Sequence, residues 1–140
     1  MNILKIKKLV SEATLPTKAH PTDAAFDIST IDSYTLQPGE RHIFATGISS
    51  EFSPKYMGLW RDRSSFGAKG IQVLAGVLDA SYRGEWKVVL LNTSSEQHEI
   101  KTGDRIAQCL MVPVPDFQVQ EVSELGESDR GSGGFGSTGK

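Results

Sequence analysis

Five short polar islands interrupt an otherwise strand-like sequence. The first, Ala24-Ala25-Phe26-Asp27-Ile28, sets one acid among apolar neighbours. The second, Arg61-Asp62-Arg63-Ser64-Ser65, is a basic and hydroxyl cluster running into Gly67. In the third, GVLDASYRGEW (residues 76–86), Asp79 follows an apolar run and precedes a Tyr82-Arg83-Gly84 turn. The fourth is Gly103-Asp104-Arg105-Ile106-Ala107-Gln108, and the last runs from Arg130 to Gly139 as RGSGGFGSTG. Arginines, hydroxyls and glycine-rich backbone amides bind anionic oxygens. Carboxylates hold Mg²⁺ through its water shell or activate a water. A phenylalanine on a glycine hinge closes over a flat base by stacking. Singly, each island has an ordinary use: Asp27 as a turn cap, Arg63 in a surface ion pair, Tyr82-Arg83-Gly84 as a hairpin tip. Together they supply what a polyphosphate site requires.

Other chemistries lack their residues. His20, His42 and His98 are scattered, with no second ligand at metal-binding spacing. There is no G-x-S-x-G elbow, no G-x-x-x-x-G-K-[ST] loop and no H-E-x-x-H pair. Cys109, the one cysteine, lies in an apolar run and reads as a buried structural thiol. A lone cysteine forms no intrachain disulfide, so a reducing, cytoplasmic setting is expected. The opening MNILKIKKLV mixes lysines among aliphatics and shows no continuous apolar h-region, and no run approaches the ~18 residues of a membrane-spanning helix. Net charge is −2, from 15 basic and 17 acidic residues, which argues against a protein that coats nucleic acid electrostatically.

The elements that must position the islands are β-strands. At 140 residues the chain suits one domain. Apolar runs at Ile3–Val10, Ile43–Ile48, Tyr56–Trp60, Ile71–Leu78, Trp86–Leu91, Ile106–Val114 and Phe117–Val122 recur about every ten residues, separated by turn chemistry such as Gln37-Pro38-Gly39 and Lys101-Thr102-Gly103-Asp104. Only Ser64–Lys69 reads as a short helical turn. The class is all-β, a sandwich, jelly roll or small barrel. Five of the 14 glycines fall in the last ten residues, a density that cannot pack a core. Residues 1–122 are therefore expected to form the body and 123–140 a mobile arm.

In order and in spacing, the five islands resemble the motifs of the trimeric deoxyuridine triphosphatases (dUTPases), over essentially the whole chain. GVLDASYRGEW and RGSGGFGSTG are the most specific, GDRIAQ (103–108) and DRSSFGAKGI (62–71) nearly so, and AAFDI (24–28) is weak alone. The resemblance implies an antiparallel β jelly roll, a homotrimer with active sites at subunit interfaces, and Mg²⁺-dependent hydrolysis of dUTP to dUMP and pyrophosphate. It implies Asp79 as the general base for a water attacking the α-phosphorus, and Tyr82 packed on the deoxyribose to reject a 2′-hydroxyl. The hairpin backbone between Ala75 and Trp86 would read the uracil edge. Arg63, Ser64, Ser65 and Gln108 would bind the phosphates. Arg130 would reach the γ-phosphate, Phe135 would stack on the uracil, and Gly136, Ser137 and Thr138 would complete the phosphate cage. Asp27 would support the metal's water shell, and Asp104 and Arg105 would tie the fourth motif to its neighbours.

The chain departs from the family pattern at several positions. Ala25 stands for a usual glycine, Asp62 for the usual proline before Arg63, Ser65 for a common glycine, and Ser132 for a frequent glutamate; Phe26 and Ile28 are milder changes. Asp62 sets a negative charge beside a phosphate-binding arginine, either weakening that site or being neutralised by Arg61. The alternatives are a dCTP deaminase of the same fold, alone or bifunctional, and a nucleotide-dependent interaction module. Tyr82 and the GGFGST arm argue against the first, and an intact Asp79 against a purely non-catalytic form of the second.

Overall fold

Alternation of buried and exposed side chains builds the frame. In the strand Lys87–Asn92 (KVVLLN), Val88, Leu90 and Asn92 are buried while Lys87 faces solvent, the period of two expected where one face is covered. The computed structural model describes residues 2–134. Among these the strands are β1 (Lys5–Lys8), β2 (Ala25–Ser29), β3 (Tyr34–Leu36), β4 (Arg41–Ala45), β5 (Ile48–Glu51) and β6 (Tyr56–Arg61). A single helical turn, α1 (Ser64–Gly67), follows. Then come β7 (Ile71–Leu74), β8 (Val77–Leu78), β9 (Lys87–Asn92), β10 (His98–Ile100) and β11 (Arg105–Pro113).

Every ladder between them is antiparallel. β1 pairs with β5 and β3 with β10, while β2-β11-β6-β8 and β4-β9-β7 form the two larger sheets. One continuous core lies beneath them, including Ile28, Leu36, Phe44, Ile48, Trp86, Leu90, Ile100 and Ile106, each no more than 1% exposed. Trp60 and Trp86 meet edge to face with ring centroids 5.3 Å apart, a favoured aromatic geometry. The buried indole N–H of Trp86 donates to Ser50 Oγ at 3.0 Å, and Asn92 Nδ2 donates to the carbonyls of Leu36 and Glu96. Among the described residues no buried side-chain nitrogen or oxygen lacks a partner, as a well-formed interior requires.

The all-β reading holds, and the helical turn falls where expected. Three strands escaped the pattern: β2, β3 and β10 have five, three and three residues, too few and too polar to show alternation. The opposite correction applies to Phe117–Val122, which forms no strand. Phe117 is 81% and Val119 97% exposed. β11 ends at Pro113, and Pro115 follows; a proline has no N–H to extend a ladder, and an apolar run without a paired edge does not become a strand.

Candidate active site

Arg63 and its neighbours sit where β6 leaves its sheet. Arg63 is extended (φ −75°, ψ 143°) and caps α1 with its carbonyl, which accepts the N–H groups of Phe66 and Gly67 at 2.9 Å. Ser64 and Ser65 open the helical turn and are exposed. The Arg63 guanidinium is held on two sides: Nε donates to Asp27 Oδ1 and Nη1 to the Arg105 carbonyl, both at 3.0 Å. Arg105 Nη1 donates to Asp27 Oδ2, also at 3.0 Å. Asp27 thus bridges two arginines and fixes the second motif to the fourth. Asp104 closes the preceding turn by accepting the Lys101 N–H at 2.8 Å, and its carbonyl accepts from Thr30, the tying role expected of this pair.

Gln108 on β11 stands opposite Asp27 of β2 and Arg61 of β6. Directly paired residues share a face, so these three form a polar row across the sheet. They line a cleft of about 520 Å³ together with Asp23 and Asp62. The charge added by Asp62 is not left facing a phosphate: its Oδ1 accepts the Val73 N–H at 2.5 Å.

Asp79 and Tyr82 line a different cleft, of about 220 Å³, against Trp60, Leu78, Glu85 and Trp86. The segment enters through Ala75 (φ 63°) and Gly76 (φ 124°). A left-handed alanine costs about 1–2 kcal/mol and persists only where its surroundings hold it. Beyond β8 the chain turns tightly, with the Tyr82 N–H donating to the Asp79 carbonyl at 3.1 Å. Arg83 Nη1 clamps the turn by donating to the carbonyls of Ala80 (2.6 Å) and Tyr82 (3.2 Å). The Tyr82 hydroxyl donates to the Glu85 carbonyl at 3.1 Å, and its ring lies so close to Gly84 that a Cβ there would sit 2.3 Å from the hydroxyl oxygen. Glu85 Oε1 accepts the Gly47 N–H at 2.9 Å, which ties the hairpin to the β4–β5 corner. Asp79 itself is exposed at the rim of this cleft.

The two groups do not meet within the chain. Trp60 lines the Asp79 cleft and Arg61 the Gln108 cleft; consecutive residues of β6 point to opposite faces of the sheet. Arg130 closes on its own backbone, its Nε donating to the Gly133 carbonyl at 2.7 Å. Phe135, Gly136, Ser137 and Thr138 lie outside the described residues. Cys109 is buried, and desolvation pushes its thiol up to about 12. Among the described residues no group of three or more His, Cys, Asp or Glu side chains is placed to hold a metal, and no helix is long and apolar enough to cross a membrane.

Sequence reading missed Glu85 and Arg105 as anchors. Their only signal was adjacency: Glu85 closes the Tyr-Arg-Gly-Glu run and Arg105 sits inside GDRIAQ. Their partners, Gly47 and Asp27, are remote in the chain.

The dUTPase family model matches residues 11–139. A deoxyuridine 5′-triphosphate nucleotidohydrolase of Nautilia profundicola is 46% identical over 140 residues, covering 98% of this chain and 99% of the relative. One from Paramecium bursaria Chlorella virus 1 is 42% identical, covering 99% of each. Among solved structures, a mutant dUTPase of Staphylococcus bacteriophage 80alpha with dUpNHpp superposes with a TM-score of 0.89 at 27% identity, covering 100% of both chains. A fold of two antiparallel sheets around one core, bearing these motifs, defines a jelly-roll nucleotide enzyme. The chain belongs to the dUTPase family.

Proposed function

We propose that this chain hydrolyses dUTP to dUMP and pyrophosphate at a site assembled from neighbouring copies in a homotrimer. The observation that carries the reading is the division of the motif residues into two rigid half-sites on opposite faces of β6, an arginine and glutamine side and an Asp79–Tyr82 side. A subunit interface brings such halves together. The exposed apolar segment beyond Pro113, with Phe117 and Val119 almost free of intrachain contact, supports association as well, because exposed apolar surface marks interaction sites.

In this reading the backbone between Ala75 and Trp86 pairs with the uracil edge, and its tight turn leaves no room for a methyl group at C5. Tyr82 packs on the deoxyribose and excludes a 2′-hydroxyl. A site built to hydrogen-bond one edge rejects others because its own polar groups are then left unpaired. Arg63, Ser64, Ser65 and Gln108 bind the phosphates; Gln108 spends one amide hydrogen on the Asp62 carbonyl and keeps another hydrogen and its oxygen free. Residues 123–140 act as a closing arm, with Arg130 on the γ-phosphate, Phe135 over the uracil, and Gly136, Ser137 and Thr138 completing the cage.

Asp79 takes a proton from the attacking water as its oxygen bonds to the α-phosphorus. The bond from that phosphorus to the bridging oxygen breaks, and pyrophosphate leaves. Held donors then meet charge as it develops. Mg²⁺ enters with the triphosphate and neutralises its charge. Asp27 suits an outer-shell role, since both oxygens already accept from arginines and each retains a lone pair for a metal-bound water. A Mg²⁺ ion described as structural in the phage phi11 dUTPase of Staphylococcus aureus shows such a metal in a related fold. A cytoplasmic, reducing setting suits the single buried thiol of Cys109.

The assay is pyrophosphate release with Mg²⁺ from dUTP, dCTP, dTTP and UTP side by side. Turnover of dUTP alone is expected. Saturation with dUTP without turnover overturns the enzymatic reading, and conversion of dCTP overturns the substrate assignment, which the family relatives do not favour.

A further inference from the structure

Asp62 is the departure that the site chemistry does not absorb. Its position is unusual in three respects. It follows β6 and immediately precedes Arg63. Its carbonyl accepts from Gln108 Nε2 at 2.6 Å, and its carboxylate Oδ1 accepts from the backbone N–H of Val73 at 2.5 Å. β7 is the outer strand of the β4-β9-β7 sheet, so its outer row of N–H groups has no ladder partner. An edge N–H of this kind needs an acceptor from elsewhere, and Asp62 supplies it across the gap between the two larger sheets.

Two residues beyond Val73 stands the left-handed Ala75. On the far side of that joint the Trp60 N–H donates to the Gly76 carbonyl at 2.8 Å. The end of β6 therefore grips β7 and its continuation on both sides of the strained residue, through Trp60 backbone and Asp62 side chain. The proline usual at this point of the family has no such acceptor, so this chain's own residue makes the grip.

We propose that Asp62 is a positioning residue that holds the Ala75–Gly76 joint, and with it the hairpin carrying Asp79 and Tyr82, in register with the phosphate-binding turn. It touches no substrate. It acts through Val73 on the conformation of the backbone that reads the base, and to that extent rests on the function proposed above. Small misplacements of such a scaffold are costly for positioned chemistry.

Three readings of full-length protein test this: hydrogen exchange at the Val73 amide, steady-state kinetics with dUTP and dCTP, and affinity for the non-hydrolysable analogue dUpNHpp. Asp62→Ala is expected to speed Val73 exchange at least tenfold, lower kcat/KM for dUTP about tenfold and narrow the preference for dUTP over dCTP. Asp62→Asn, whose side-chain oxygen still accepts, is expected to restore all three to within about threefold of wild type. A purely global destabilisation would not narrow base preference, nor be cured by the isosteric amide. Should Asp62→Ala not fold, Asp62→Glu, which moves the acceptor outward by one methylene, carries the same test. Unchanged Val73 exchange or unchanged base preference in a folded variant overturns the proposal. A wild-type chain that binds dUpNHpp yet releases no pyrophosphate removes the reaction reading instead, and Val73 exchange with analogue affinity then decides the role of Asp62.

Discussion

At the scale of single residues, chemistry was legible because its residue types are rare outside sites. Asp79 between an apolar strand and a Tyr-Arg-Gly turn, and Arg63 beside two serines, stood out by type and order. What escaped notice were bonds fixed by stacking of distant strands: Asp27 to Arg105 spans 78 positions, and Asp62 was read as a stray charge until Val73 was found against it. The role of Asp79 separates binding from chemistry. Asp79→Asn is expected to keep affinity for dUTP within a few-fold and to lose roughly 10²–10⁴ in kcat, the usual contribution of a general base; stopped-time pyrophosphate assays with a parallel binding titration check both. Cys109 makes a second, independent prediction. Burial raises its thiol from 9.0 to about 12. Between those values the folded chain keeps a proton that the unfolded chain has lost, so stability present below pH 9 declines as pH rises through the window. Urea midpoints from pH 8 to 11 are expected to fall more steeply for wild type than for Cys109→Ala, and the native thiol should resist alkylation at pH 8.

At the scale of elements, long strands could be read and short ones could not. β9 and β11 announce themselves by alternation or by length. β3 and β10, three residues each, exist because Tyr34-Thr35-Leu36 and His98-Glu99-Ile100 find each other across more than 60 positions, information absent from either segment. Phe117–Val122 failed for the complementary reason: its composition suits a strand, but no edge within the chain pairs with it. The β4–β5 corner shows how such elements reach the site. Gly47 is left-handed (φ +68°), and a Cβ there would fall 2.8 Å from Val10 Cγ2 and 2.9 Å from Ala13 Cβ. Its N–H holds Glu85, and its carbonyl accepts from Leu9. Gly47→Ala therefore combines backbone strain with overpacking and is expected to cost about 2–4 kcal/mol, read as a lower urea midpoint. Because the same N–H anchors the hairpin, discrimination against UTP should weaken in the fraction that folds.

At the scale of the whole molecule, the decisive feature is that neither face of β6 carries a full set of groups. Asp79 opens on one face and Gln108 with Arg61 on the other, so the lesions Asp79→Asn and Arg63→Ala fall in different half-sites. If each active site draws its halves from two copies, a mixed assembly contains some sites in which the lesions fall on chains that serve a different site. Random assortment of the two inactive chains in a cyclic trimer then restores about a quarter of the sites. Denaturing the two variants together and refolding the mixture is expected to recover activity well above either parent. Sedimentation should give a particle of three times the 15.2 kDa chain mass. A site contained within one chain predicts the reverse, since every chain then carries a lesion and mixing recovers nothing. The complementation measurement thus separates an interface enzyme from a monomeric one even if both proved to be trimers.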